Sequence, residues 1–127
     1  MKIISTKVHG VLDYLMGLVL FAAPWPWLLG FADGTAAQWV PITLGVMMIV
    51  MSFFTNYELG VIKVIPMGFH LGMDVLSGIF LAASPWIFGF SETVYLPHLI
   101  LGIAEVGAGI MTRRTPKTAT TATVSRA

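Results

Sequence analysis

The chain has 127 residues, of which 57% are apolar and 10% charged, with a net charge of +1 and a mean hydropathy of +0.86. Soluble domains run about 45–50% apolar and about 25% charged, so this composition excludes an ordinary soluble enzyme, a nucleic-acid binder and a disordered chain. The lack of cysteine removes disulfides, thiolate metal ligands and thiol nucleophiles. What remains is a small polytopic membrane protein.

A helix needs about 20 mostly apolar residues to cross the hydrocarbon core. Four segments approach that length, at about 8–29, 39–56, 66–90 and 96–112. Short polar turns divide them: one around Asp33-Gly34, one opening at Tyr57-Glu58 and containing Lys63, and one at Ser91-Glu92-Thr93. Pro41, Pro66 and Pro97 stand near the starts of spans, where a missing N–H costs little. The fold predicted is all-α, a four-transmembrane-helix bundle.

Charge sets the orientation. Lys2, Lys7, Lys63, Arg113, Arg114, Lys117 and Arg126 are all seven cations, and each precedes span one, joins spans two and three, or follows span four. The other two loops carry only Asp33 and Glu92. By the positive-inside rule both termini are cytoplasmic, an N-in/C-in topology. Trp25, Trp27, Trp39, Trp86 and Tyr95 then gather at the outer interface as an aromatic belt. Lys2, an apolar run and Ala22-Ala23 imitate a signal peptide, but Pro24 disfavours cleavage, and span one is expected to stay.

The chain also repeats itself. At an offset of 61, His9, Asp13, Leu15, Gly17, Leu20, Ala22, Pro24 and Trp25 meet His70, Asp74, Leu76, Gly78, Leu81, Ala83, Pro85 and Trp86. The match continues through Gly30-Phe31 with Gly89-Phe90, Pro41 with Pro97, and Gly45 with Gly102. Two tandem helical-hairpin repeats are therefore expected, at 1–56 and 66–114, with a cytoplasmic linker at 57–65 and a disordered cytoplasmic tail at 115–127. Units of two spans cross in the same sense, so a pseudo-two-fold axis along the membrane normal should relate them.

Ala23-Pro24-Trp25 and Ser84-Pro85-Trp86, each ending the first helix of a two-helix unit, resemble the motif of the SPW repeat family of bacterial membrane proteins. The resemblance covers roughly 8–112, with Ala23 departing from the motif's serine. It implies a four-helix integral protein of the bacterial cytoplasmic (inner) membrane and brings no biochemical activity with it.

Several polar residues stand where a bilayer would bury them. The Pro-Trp pairs read best as helix stops with interfacial anchors, Ser84 being placed to bond a carbonyl freed by Pro85. His9-x-x-x-Asp13-x-x-x-Gly17 and His70-x-x-x-Asp74-x-x-x-Gly78 lay three residues along one helical face, with glycine marking the packed side. Each Asp is expected to pair with the His one turn away. Glu105 lies mid-span where the repeat has Met48, and His98 lies two turns from it on the same face. His9, Asp13, His70, Asp74, Glu105 and His98 thus form a candidate intramembrane polar cluster. Gly68-x-x-x-Gly72 and Ala104-x-x-x-Ala108 suit close helix crossings within the bundle or between copies.

The favoured reading is a non-enzymatic, small structural or accessory membrane subunit of unknown biochemical activity, without catalytic residues, metal or cofactor. Its partners are the lipid bilayer and a second copy or a larger membrane complex, with no nucleic acid. One alternative is a proton or small-ion pathway through the His/Asp/Glu cluster. Another is a cofactor carrier in which His9 and His70 ligate a haem or metal.

Overall fold

The computed structural model describes residues 2–26, 28–31 and 34–116, so Trp27, Asp33 and the chain beyond Pro116 lie outside the described residues. Four helices follow in order: α1 (Thr6–Ala22), α2 (Ala36–Phe54), α3 (Met67–Ile87) and α4 (Leu96–Met111). No strand occurs among the described residues; the only ladder-type contacts are two isolated bridges. α1 packs on α2, α3 on α4, and α2 on α3.

The helix ends follow the proline chemistry. Pro24 cannot donate to the Leu20 carbonyl, and α1 stops at Ala22, well before the expected residue 29. Pro85 sits inside α3, which runs on to Ile87. The Leu81 carbonyl that Pro85 leaves without an N–H accepts from Ser84 Oγ at 2.7 Å. Ala23, at the equivalent place just past the end of α1, has no hydroxyl to do this. Both motifs then turn back onto their own proline carbonyl, the first by a return two residues longer than the second: Phe31 N–H donates to the Pro24 carbonyl at 3.1 Å and Phe90 N–H to the Pro85 carbonyl at 2.8 Å. The left-handed residue needed in each return is a glycine, Gly30 at φ 61° and Gly89 at φ 72°.

Glycine also sets how close the hairpins come. A Cβ on Gly45 would lie 2.7 Å from the Gly17 carbonyl oxygen, and one on Gly102 would lie 2.5 Å from that of Gly78. Each hairpin therefore crosses backbone to backbone at equivalent glycines. Gly68 and Gly72, by contrast, face open space.

The two halves exchange contacts as a two-fold requires. Ile4 bridges Thr112 at the end of α4, while Ile65 bridges Thr55 at the end of α2. The start of each half is thus tied to the finish of the other.

Burial is inverted relative to a protein folded in water. His9, Asp13, Gln38, Ser52, Thr55, His70, Asp74, His98, Glu105 and Thr112 are buried, while Leu15, Leu18, Phe69, Leu76, Ile100 and Ile103 face outward. Apolar surface of that extent needs an apolar surrounding. α2 and α3 are long and apolar enough to cross a membrane, and α4 is a shorter apolar helix. With 17 and 16 residues, α1 and α4 span about 26 and about 24 Å, short of the roughly 30 Å hydrocarbon thickness.

Candidate functional site

α1 and α3 bring their His-x-x-x-Asp faces together in the half of the bundle that carries the described termini. The predicted pairing along each helix is present: His9 Nε2 lies 3.0 Å from Asp13 Oδ1, and His70 Nε2 lies 3.2 Å from Asp74 Oδ2. Crossed pairs are at least as close. His9 Nε2 is 2.9 Å from Asp74 Oδ2, and His70 Nε2 is 2.9 Å from Asp13 Oδ2. Each imidazole thus bridges both carboxylates. All four residues are at most 4% exposed, and the rings meet edge-on with centroids 5.6 Å apart.

Two threonines fix the rings. Thr55 Oγ1 is 2.6 Å from the Met51 carbonyl oxygen and Thr112 Oγ1 is 2.6 Å from that of Ala108. A carbonyl only accepts, so each hydroxyl spends its proton there. The hydroxyl oxygens then accept from His70 Nδ1–H at 2.6 Å and from His9 Nδ1–H at 2.8 Å. Both Nε2 atoms therefore point at the carboxylates with Nδ1 already protonated. A contact between Nε2 and a carboxylate oxygen needs a proton on one of them. The quartet consequently holds two protons between its histidines and aspartates and is neutral as a whole, a requirement at this burial.

The threonines were not among the expected site residues. A signal existed: Thr55 and Thr112 share the offset of 57 that relates Gly45 to Gly102. Other partners break the symmetry. Ser52 Oγ and the Tyr57 hydroxyl approach Asp13 Oδ2 at 3.3 and 3.4 Å, and their counterparts in the second half are Gly109 and Arg114. Burial pushes the Tyr57 phenol well above its ordinary range, which keeps it a donor.

Glu105 lies beside the quartet. Ser77 Oγ donates to Glu105 Oε1, while Glu105 Oε2 is buried without a hydrogen-bond partner among the described residues. A cavity of about 280 Å³ between α1 and α4 is lined by His9, Asp13, Asp74 and Glu105 together with apolar side chains. The corresponding space between α2 and α3, around Met47, Met48, Met51 and Met73, is only about 20 Å³. The pseudo-symmetric bundle is thus filled on the side where the repeat has methionine and open on the side where it has Glu105.

His98 is placed elsewhere. Its Nε2 donates to the Ala37 carbonyl at 2.8 Å, and its ring sits between Phe31 and Phe90. No hydrogen bond joins it to Glu105 among the described residues, so His98 stands apart from the other five members of the candidate polar cluster. Gly17 and Gly78 serve the hairpin crossings. Pro24 and Pro85 are buried, while Trp86 is exposed beside Tyr95 and Trp39 is exposed beside Trp25.

The repeated Pro-Trp turns, the paired glycine crossings and the exchanged contacts belong to one recognisable unit. The family model of the SPW repeat domain matches residues 7–112. The chain belongs to the SPW repeat family. The SPW repeat region takes in the quartet, both clamping threonines, Glu105 and both Pro-Trp pairs. Comparison with curated proteins and with solved structures found no significant match.

Proposed function

We propose that this SPW repeat protein is a non-enzymatic, four-pass protein of the bacterial inner membrane with both termini cytoplasmic. It acts as a small structural or accessory subunit, with the His/Asp quartet as the clasp that fastens its two hairpins. The observation that carries this reading is the closure of the quartet on itself: every histidine nitrogen in it is engaged, and the crossed bonds join α1 to α3. The inverted burial supports the bilayer as surroundings, and the seven-to-zero division of cations supports the orientation. A wider hydrophobic belt is not required of α1 and α4, because a short span is accommodated by local bilayer thinning or flanking residues. The open Gly68/Gly72 face suits a second copy or a larger complex.

Two experiments test it. The cysteine-free chain permits clean single-cysteine labelling: Thr115→Cys should react with an impermeant maleimide only from the cytoplasmic side, and Ser91→Cys only from outside. Same-side labelling refutes the topology. Asp13→Ala and Asp74→Ala should lower abundance and melting temperature; unchanged values refute the clasp.

A second reading, a proton pathway, is favoured by Glu105 Oε2 standing without a partner in the cavity that reaches the quartet. It requires the wild-type protein in proteoliposomes to pass protons under a pH gradient and Glu105→Gln to abolish the flux with folding intact. No wild-type flux refutes it.

A further inference from the structure

We propose that the quartet is a binding site for one divalent first-row transition-metal ion, with zinc the best fit, held by His9 Nε2, His70 Nε2, Asp13 and Asp74. This goes beyond the clasp: the same four side chains exchange two protons for one dication.

The donor atoms already converge. One nitrogen or oxygen from each of the four residues lies within 4.8 Å of all the others. Tetrahedral zinc with bonds of about 2.0–2.1 Å holds its ligand atoms roughly 3.3 Å apart. Asp74 Oδ2 lies 2.9 and 3.2 Å from the two Nε2 atoms and Asp13 Oδ2 lies 2.9 Å from His70 Nε2, so these separations need to lengthen by only a few tenths of an ångström, and the remaining ones, all within 4.8 Å, close by side-chain rotation.

The histidines are also oriented as ligands. A metal-binding imidazole usually donates its other ring N–H to a fixed acceptor, which sets the tautomer and aims the lone pair. Thr55 and Thr112 do this here, each committed as an acceptor by its bond to a carbonyl one turn back. A buried imidazole needs a partner for that N–H in either role; the threonines supply it while leaving both Nε2 atoms aimed at the carboxylates.

Charge and chemistry narrow the ion. Two buried carboxylates are neutralised by one dication, so loading leaves the site neutral, as it is with two protons. The exchange balances: the quartet with two shared protons plus M²⁺ gives the metal complex plus two H⁺. Two imidazole nitrogens disfavour magnesium and calcium, which take oxygen ligands, and the absence of thiolate disfavours Cu(I). The cavity of about 280 Å³ between α1 and α4 reaches His9, Asp13 and Asp74 and supplies a route in, with Glu105 on its wall as a carboxylate an entering ion would meet.

The test uses the full chain, purified in mild detergent through a histidine-free tag and stripped with chelator. Titration with Zn²⁺, and separately with Mn²⁺, should show one ion bound per chain, two protons released per ion, and a raised melting temperature. Asp74→Asn should keep the far-ultraviolet circular dichroism and elution volume while weakening zinc at least 100-fold. Thr112→Val leaves all four ligands in place and should weaken zinc by about 10–100-fold, so the proposal stays testable if Asp74→Asn misfolds. Failure of wild-type protein to bind either ion overturns it. So does binding that a His9→Gln/His70→Gln variant retains, which would place the ion on the surface. The clasp stands or falls separately, on the stability of the metal-free protein.

Discussion

Gly102→Ala tests whether backbone contact between α3 and α4 sets the hairpin spacing. The added methyl would lie 2.5 Å from both the Gly78 carbonyl oxygen and the Ala82 nitrogen, and 2.7 Å from Ala82 Cβ. Ordinary C···O contact begins near about 3.3 Å, so the shortfall is roughly 0.8 Å. The obstacles are backbone atoms of a helix that cannot rotate aside. α3 and α4 must separate, and a gap of about 0.5–1 Å forfeits a quarter to a half of each contact's attraction along the crossing. Overpacking of this kind costs about 1–3 kcal/mol, while replacing a helical glycine by alanine returns about 0.5–1 kcal/mol. The net expectation is destabilisation by about 1–2 kcal/mol. Gly107→Ala is the control on the same helix, because nothing lies within 4 Å of its added Cβ; it should be neutral or stabilising by the propensity gain alone. The assay is equilibrium unfolding in detergent micelles for wild type and both variants. Gly102→Ala matching Gly107→Ala in stability would refute the close crossing.

Three further outcomes are expected. Asp13→Asn should cost less than Asp13→Ala in the same unfolding assay. An amide oxygen can still accept from His70, Ser52 and Tyr57 while its NH2 donates to a neutral His9, whereas alanine strands buried donors at about 1–3 kcal/mol each; equal losses would count against the hydrogen-bond assignment. Ser84→Ala should lower stability by about 1 kcal/mol and shorten α3 to end before Pro85, as α1 ends before Pro24, with helix length read by backbone chemical shifts. Tyr57 is protonated in the fold beyond the pH at which it ionises in the unfolded chain, about 10. Its contribution is therefore complete below that pH and is lost as pH rises above it, so Tyr57→Phe should flatten the alkaline fall in melting temperature; an unchanged alkaline limb would refute this.

The sequence by itself determined a great deal. Composition and hydropathic runs required four apolar helices, because a chain with 10% charged residues cannot clothe itself for water. The offset of 61 between His9-Asp13-Gly17 and His70-Asp74-Gly78 announced the duplication, and the motif at Pro85 even indicated what Ser84 does for the Leu81 carbonyl. Such features are local, set by one helix turn or by the identity of a residue beside a proline.

Tertiary structure decided what happens between helices. The sequence could pair His9 with Asp13 along α1; only the packing of α1 against α3 adds Asp74 and turns two pairs into a quartet. The clamps Thr55 and Thr112 lie 15 and 103 residues from the histidines they hold, a relation that one-helix periodicity cannot express. Glu105 and His98 share a helical face, yet one borders the quartet and the other is held at the far end by Ala37 and two phenylalanines. Nor does the repeat foretell the open side of the bundle. Symmetry in sequence predicts equal gaps, but methionines fill one and leave the other as a cavity ending on a buried carboxylate. The physical reason is the same throughout: spacing along a helix fixes which residues share a face, while helix rotation and separation, set by glycine-to-glycine contact across the crossings, fix which faces meet.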